Sequence, residues 1–354
     1  MAASDERKVQ TTCVVLRDYI RKHYKEGDAL MPVRQLTKTL GVSITTVCGA
    51  LHQLSLAGLL EVNHGERTRV TAAALRARVA LLAPDELTHP SASAYTRMLV
   101  HHLLEKADGA GFDVSLYSGL GKPWMVDNKK NIPWNFLNDA RCGHLDGVIV
   151  LSDNGAAGID VCESLNIPIV GSLEDYLAFA RFDLGEMVRS SVASLVKAGC
   201  GRLAMISWSE QEASLALERA LHEHGLPAVP QWVKTGVHPS LPDAGHRLFG
   251  EIWDARREKP DGLLIMDDVY VPDVIRAIGE RKIKVPEKLK IVAHSNKGNR
   301  FAYPFPVTLM ENDPEHQADA LLEVLLARMG STPQDAPAQR WLKSVMVSIH
   351  GGKL

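Results

Sequence analysis

Residues 27–70, GDALMPVRQLTKTLGVSITTVCGALHQLSLAGLLEVNHGERTRV, change their apolar spacing in a fixed order: a short helical period, a glycine turn, a second helical period, then two extended stretches. Pro32 suits the first position of a helix, and Val33, Leu36 and Leu40 recur on one face, which predicts a helix over 33–40. Gly41 ends it. Ser43 then caps a second helix whose buried stripe is Val47, Leu51 and Leu54 and whose stop is Gly58, so that Thr45, Cys48, Gly49 and His52 face outward. Residues 59–63 and 67–71 are expected to pair as strands around the tip His64, Gly65 and Glu66. Upstream, Val14, Val15, Leu16, Tyr19 and Ile20 mark a support helix over 9–24. A helix-turn-helix followed by a wing presents its second helix to a DNA major groove.

The pattern resembles the GntR family through Gly27, Asp28, Leu30, Pro32, Arg34, Leu36, Gly41, Val42, Ser43, Thr46, Val47, Ala50, Leu51, Leu54, Gly58 and Leu59. Two arginines of that family's recognition helix fall here on Ile44 and Cys48. Their loss removes donors for guanine edges or phosphates, whereas Ile44 offers only contact with a thymine methyl, so the implied operator preference differs. The residues expected at double-stranded operator DNA are Arg34, Ser43, Ile44, Thr45, Thr46 and Cys48, with His64, Gly65 and Arg67 in the wing.

Charge is distributed to suit such a head. Residues 1–77 hold 11 basic and 7 acidic side chains, against 29 and 35 in the remainder, and neutralising phosphates needs the positive end of that asymmetry. No apolar run approaches the ~20 residues of a membrane span, and the charged start MAASDERKVQ has no secretory core. The five cysteines (Cys13, Cys48, Cys142, Cys162, Cys200) are odd in number and never spaced as CxxC, which argues against structural disulfides and a zinc site. The expectation is a cytoplasmic protein with no membrane association.

Beyond Thr71 a short alanine-rich connector, 72–77, leads into alternating strands and helices. Strands are predicted at 78–85, 112–117, 147–151, 167–170, 203–207, 232–235, 262–266, 290–294 and 345–349; helices at 94–110, 159–165, 185–198, 212–224, 244–257 and 272–280. That alternation implies doubly wound α/β sheets with ligands beyond the carboxyl ends of the strands. The polar stretch 122–137, with Trp124 and Trp134, reads as an exposed loop with an aromatic anchor.

This body resembles the LacI/GalR family. Phe182-Asp183, Leu195, Gly199, Arg202 and Leu203 match one motif, PDGLLIMDD at 260–268 a second, and VPEKLKIVAHSN at 285–296 a third. The resemblance covers about 78–326 and implies a periplasmic-binding-protein-like effector domain with two α/β lobes, an interlobe cleft and dimerisation. A GntR-type head on such a body is similar to the arabinose-repressor-like bacterial regulators. The expected organisation is a winged helix-turn-helix over 1–71, a linker over 72–77 and a two-lobed effector-binding and dimerisation domain over 78–354.

By matching position, Asp183, Asp267, Ser295 and Asn296 are the expected ligand contacts, with Asp85 at a strand end and Tyr95 or Trp208 stacking on a sugar face. Asp183 and Asp267 are equally suited to capping helices, and Trp208 to a core. The family's ligand-binding Arg falls on Ala213 and its first Asp after the later strand on Ser295, which weakens the case for a sugar. Catalysis has little support: Asp267-Asp268 diverge at a strand end, and His101-His102 and His222/His224 lack helical metal-pair spacing. The sum is a non-enzymatic, cofactor-free regulator, a homodimeric repressor of carbohydrate genes responding to a small molecule such as a sugar. A solute-binding protein, or a regulator that has lost its ligand, is the alternative.

Overall fold

The computed structural model describes every residue except 1, 63–66, 84–86, 88–92, 119–133, 152–155, 173–175, 239–240, 256, 331–338 and 350–354; side chains of 2–6, 134 and 156–159 are also outside the description. The chain divides into two compact units. Unit 1 comprises Met1–Ala92, Val100–Ala180 and Ala318–Arg340; unit 2 comprises Ser93–Leu99, Arg181–Gln317 and Trp341–Leu354.

Unit 1 begins with the head: α1 (Ala2–His23), α2 (Val33–Leu40), α3 (Ile44–Leu56), β1 (Leu60–Glu61), β2 (Arg69–Val70) and α4 (Ala72–Leu75). Leu16, Ile20, Leu36, Val47, Ala50, Leu54, Leu59 and Val70 form its core, and β1 pairs with β2 in antiparallel register, Leu60 opposite Val70. The Ser43 cap forms as expected, its side-chain oxygen accepting from Thr46 N–H at 3.1 Å, and Gly41 closes α2 in the left-handed region. One expectation is corrected. Gly49 does not face outward: a Cβ there would lie 3.0 Å from a Val9 methyl, so glycine lets α3 approach α1 closely. The connector is also ordered differently, since 72–75 form α4 and β3 already starts at Ala77.

After the head come β3 (Ala77–Leu82), α5 (Ala94–Gly109), β4 (Phe112–Tyr117), α6 (Trp134–Arg141), β5 (Gly147–Val150), α7 (Ala156–Ser164), β6 (Ile169–Gly171) and β7 (Phe179–Phe182); residues 94–99 of α5 and 181–182 of β7 belong to unit 2. Next come α8 (Leu184–Lys197), β8 (Leu203–Ile206), α9 (Gln211–Glu223), β9 (Val233–Lys234), α10 (Ala244–Asp254), β10 (Gly262–Ile265), α11 (Val271–Glu280), β11 (Lys290–Asn296) and β12 (Val307–Asn312). The chain finishes with α12 (Pro314–Gly330), β13 (Gln339–Leu342) and β14 (Val345–Ile349). The exposed loop expected over 122–137 lies mostly outside the described residues, but its end is helical, because α6 starts at Trp134 and buries Phe136 against Tyr117. Trp232, expected in a strand, instead sits in a 3-10 turn over Pro230–Trp232, and β9 follows it.

The two sheets have the same order. One runs β13-β7-β6-β5-β3-β4, the other β14-β12-β11-β10-β8-β9. Within each, the first strand has its successor on one side and the third on the other, so β3/β5 and β8/β10 are switch points. Parallel pairing covers both faces of the sheet with helices, which is why β5, β8 and β10 are apolar and buried throughout. In unit 2, Leu263 and Ile265 of β10 pack with Trp232, Phe249, Tyr270 and Ile278, a core that fixes the strand ends beyond Ile265 and Ile206.

Candidate functional site

The head exposes one face of α3 while burying the other. Val47, Ala50 and Leu54 are buried, whereas Ile44 is 55% exposed and Ser43, Thr45, Cys48 and His52 are also exposed. Thr46 is half-buried, and its hydroxyl meets that of Ser43 at 2.8 Å, so both hydroxyls also help to start the helix. Arg34 on α2 and Arg67 beside the wing are exposed; His64 and Gly65 lie outside the described residues. The free face of α3 is therefore short-chained and uncharged, with cationic groups supplied by α2 and the wing.

A second feature of unit 1 escaped the sequence reading. Asp146, the residue before β5, receives Arg21 at 2.6 and 2.7 Å, the Arg78 backbone N–H at 2.7 Å, and Arg17. Arg17 is only 3% exposed and also donates to the Gly143 carbonyl; Arg21 adds the Arg76 carbonyl at 2.7 Å. Burial pushes the Asp146 carboxyl up, but the Arg21 hydrogen bonds and the charges of Arg17 and Arg21 outweigh it and hold it below the usual range. Gly143, at φ +69°, gives α1 room, since a Cβ there would collide with Val14. No periodicity in the sequence ties residues 17 and 21 to 146, so only the fold reveals them.

All described members of the expected ligand set fall in unit 2: Tyr95, Asp183, Trp208, Asp267, Ser295 and Asn296. Asp85 lies outside the described residues. Asp183 caps α8, its carboxylate accepting from Glu186 N–H at 2.8 Å. Tyr95 donates to Gln317. Trp208 follows β8, is 41% exposed and meets His238 edge-on at 4.8 Å. Asp267 follows β10, so Trp208 and Asp267 flank the β8/β10 switch point where open α/β sheets place their ligands.

The end of β11 adds a polar cluster there. Asn296 donates to Asp268 at 2.8 Å, and His294 Nδ1 accepts from the Asp268 backbone N–H at 3.2 Å. Burial, reinforced by the neighbouring Asp268 charge, pushes the Asp267 carboxyl up to about 7, and burial pulls His294 down against the opposing Asp268 charge and a side-chain hydrogen bond with Asn296. Contrary to the expectation that Asp267 and Asp268 diverge at the strand end, these two and His294 bring one donor each within 4.8 Å of one another, the one such group of potential metal ligands among the described residues. Asp268 and His294 joined this cluster through parallel pairing of β10 and β11, which the sequence could not align by itself.

Residues 10–70 match the gntR family of bacterial regulatory proteins, and residues 192–347 match a periplasmic binding protein-like domain. The HTH-type transcriptional repressor PurR of Pasteurella multocida is 27% identical over 118 residues, 33% of this chain and only about a third (34%) of that protein. The sucrose operon repressor of Streptococcus mutans is 25% identical over 232 residues, covering 60% and 67% of the two chains. The PurR repressor of Haemophilus influenzae is 20% identical over 333 residues, covering 87% and 94%. In structure, the transcription regulator CcpA of Lactococcus lactis superposes with a TM-score of 0.64 at 16% identity, over 78% of this chain and 100% of that one. The regulator CelR in complex with cellobiose gives 0.63 at 17%, over 88% and 92%. The fold is thus a winged-helix head on a two-sheet α/β body of the kind found in LacI-type regulators, and among the described residues no helix is long and apolar enough to cross a membrane.

Proposed function

We propose that this chain is a ligand-responsive DNA-binding repressor, acting in the cytoplasm as a homodimer on a pseudo-palindromic operator. The observation that carries this reading is the division of labour on α3, which locks Val47, Ala50 and Leu54 into the head and leaves Ile44, Thr45 and Cys48 free for a groove. A two-fold dimer places two such helices on successive major-groove faces, which is why an inverted repeat is expected. Arg34 and Arg67 supply phosphate contacts, so base discrimination falls on short side chains.

The body supplies the control. A small molecule that binds better to one conformation of the body shifts the population of head arrangements, and operator affinity changes by the difference in its binding free energies. A coupling of about 1–3 kcal/mol corresponds to roughly 5- to 150-fold in affinity. Similarity to a sucrose operon repressor and to a cellobiose-bound regulator supports a hydrophilic, sugar-like effector and carbohydrate genes as targets.

Selection of genomic fragments by the full-length protein tests this directly. An enriched inverted repeat is expected; retention of fragments without a shared sequence would remove the proposal.

A further inference from the structure

At the β8/β10 switch point two carboxylates stand side by side, and among the described residues no cation is paired with them. Asp267 and Asp268 are consecutive carboxylates, half-buried and 5% exposed respectively. Among the described residues no lysine or arginine forms an ion pair with either. Lys297 and Arg300, the basic residues after β11, are held elsewhere, by Asp313 at 2.7 Å and by Glu311 at 2.6 and 2.8 Å. Position 213, where the family resemblance places a ligand-binding arginine, is an alanine buried in α9.

Independent of the carboxylates, three buried polar atoms of β11, His294 Nε2, Ser295 Oγ and Asn296 Oδ1, have no hydrogen bond of good geometry in the protein; His294 and Asn296, two apart on one face of the strand, only reach towards each other. Ser295 and Asn296 are 0% exposed, and the amide of Asn296 is anchored at Asp268, which holds its free carbonyl oxygen close to the carboxylate. Burying a polar atom without a partner is unfavourable, so three at one strand end point to a ligand. Their roles can be assigned. His294 Nδ1 accepts from Asp268, which leaves Nε2 carrying the hydrogen as a donor; Asn296 Oδ1 and the Asp267 carboxylate accept; Ser295 does either.

With the Asp267 carboxyl held up near 7, part of its charge remains at pH 7 beside the Asp268 carboxylate, and a neutral sugar supplies hydrogen bonds to these groups but no counter-charge. We infer that the effector carries a protonated amine next to hydroxyl groups, its ammonium facing Asp267 and Asp268 and one hydroxyl oxygen accepting from His294 Nε2. The inference rests on the regulator reading and narrows its ligand to a small polyhydroxylated amine. A divalent metal ion is the competing cation, since Asp267, Asp268 and His294 offer three donors. Yet the free lone pair of His294 is already turned to the Asp268 N–H, and coordination through it would orphan that amide.

The test uses the full-length chain in thermal unfolding and titration calorimetry at pH 7. Its probes are a panel of neutral sugars, each paired with its amino and N-acetylamino derivatives (glucose, glucosamine, N-acetylglucosamine and so on), and manganese and zinc chlorides with and without EDTA. Stabilisation by amino members alone is expected, with affinity falling about tenfold or more in Asp267→Asn and in Asp268→Asn. A response to neutral or N-acetylated members that survives both substitutions, a response to metal ion alone, or no response across the panel would overturn the inference. Operator binding is measured on the same preparation: a neutral-sugar response with intact operator binding removes only the cationic effector, whereas loss of operator specificity removes the regulator reading itself.

Discussion

Arg21 holds Asp146 with its two terminal guanidinium nitrogens, at 2.6 and 2.7 Å, and thereby fastens the first helix of the head to the residue that precedes β5. Asp146 also accepts Arg17 and the backbone of Arg78 at the start of β3, so one carboxylate joins the head to two neighbouring strands of the α/β part of unit 1.

Removing the carboxylate leaves the 3%-exposed Arg17 guanidinium without its counter-ion. Asp146→Ala is therefore expected to destabilise unit 1 by about 3–5 kcal/mol, whereas Arg21→Ala, whose side chain is 21% exposed, costs about 1 kcal/mol. Chemical denaturation of both variants measures this; equal midpoints for Asp146→Ala and wild type would show that the clamp carries no stability. Since the folded Asp146 carboxyl is held below its unfolded value, its contribution is present above pH ~4 and is lost as pH falls further.

Ser43 is assigned a structural task that can be separated from DNA contact. Its oxygen accepts from Thr46 N–H, so Ser43→Ala is expected to lower head stability by about 1 kcal/mol, while Ser43→Asp restores the cap and places a charge that phosphate repels. Thermal unfolding and operator binding should then part company: Asp rescues the first and impairs the second. Recovery of both would mean that Ser43 stands away from the duplex.

Asp267 sets a pH dependence of the opposite sign from Asp146. Its folded pKa of about 7 lies above the unfolded value, so ionisation destabilises the ligand-free fold, and stability falls as pH rises from ~4 through 7. Asp267→Asn should be more stable than wild type by about 1–2 kcal/mol at pH 8 and no more stable at pH 4, the gain tempered by the contact Asp267 keeps with water. Denaturant midpoints at the two pH values decide it, and a gain of equal size at both would point to packing rather than charge.

Local patterns were legible in the sequence. Apolar spacing located α2 and α3, Gly41 and Ser43 marked the boundary between them, and the buried runs at 203–206 and 262–265 announced parallel strands. What stayed hidden depends on pairing between distant segments. Gly49 reads as an outward position until α1 brings Val9 against it, Trp232 reads as strand until its turn is seen, and Asp146 is one acidic residue among many until α1 docks. At the proposed ligand site Asp267 and Ser295 could be named by position, whereas Asp268 and His294 come together only when β10 and β11 align. Asp183 had two compatible readings, and its bond to Glu186 N–H realises the capping one.

Fluorescence anisotropy of the selected operator fragment, measured across a salt series with wild type and Arg34→Ala and repeated at saturating effector, addresses the proposed control of DNA binding most directly. The expected result is specific binding whose logarithmic salt slope falls by about 0.9 in Arg34→Ala, for one lost phosphate contact, and whose affinity changes roughly 5- to 150-fold when effector is added. Equal affinity for operator and random DNA, unchanged by effector, would contradict it.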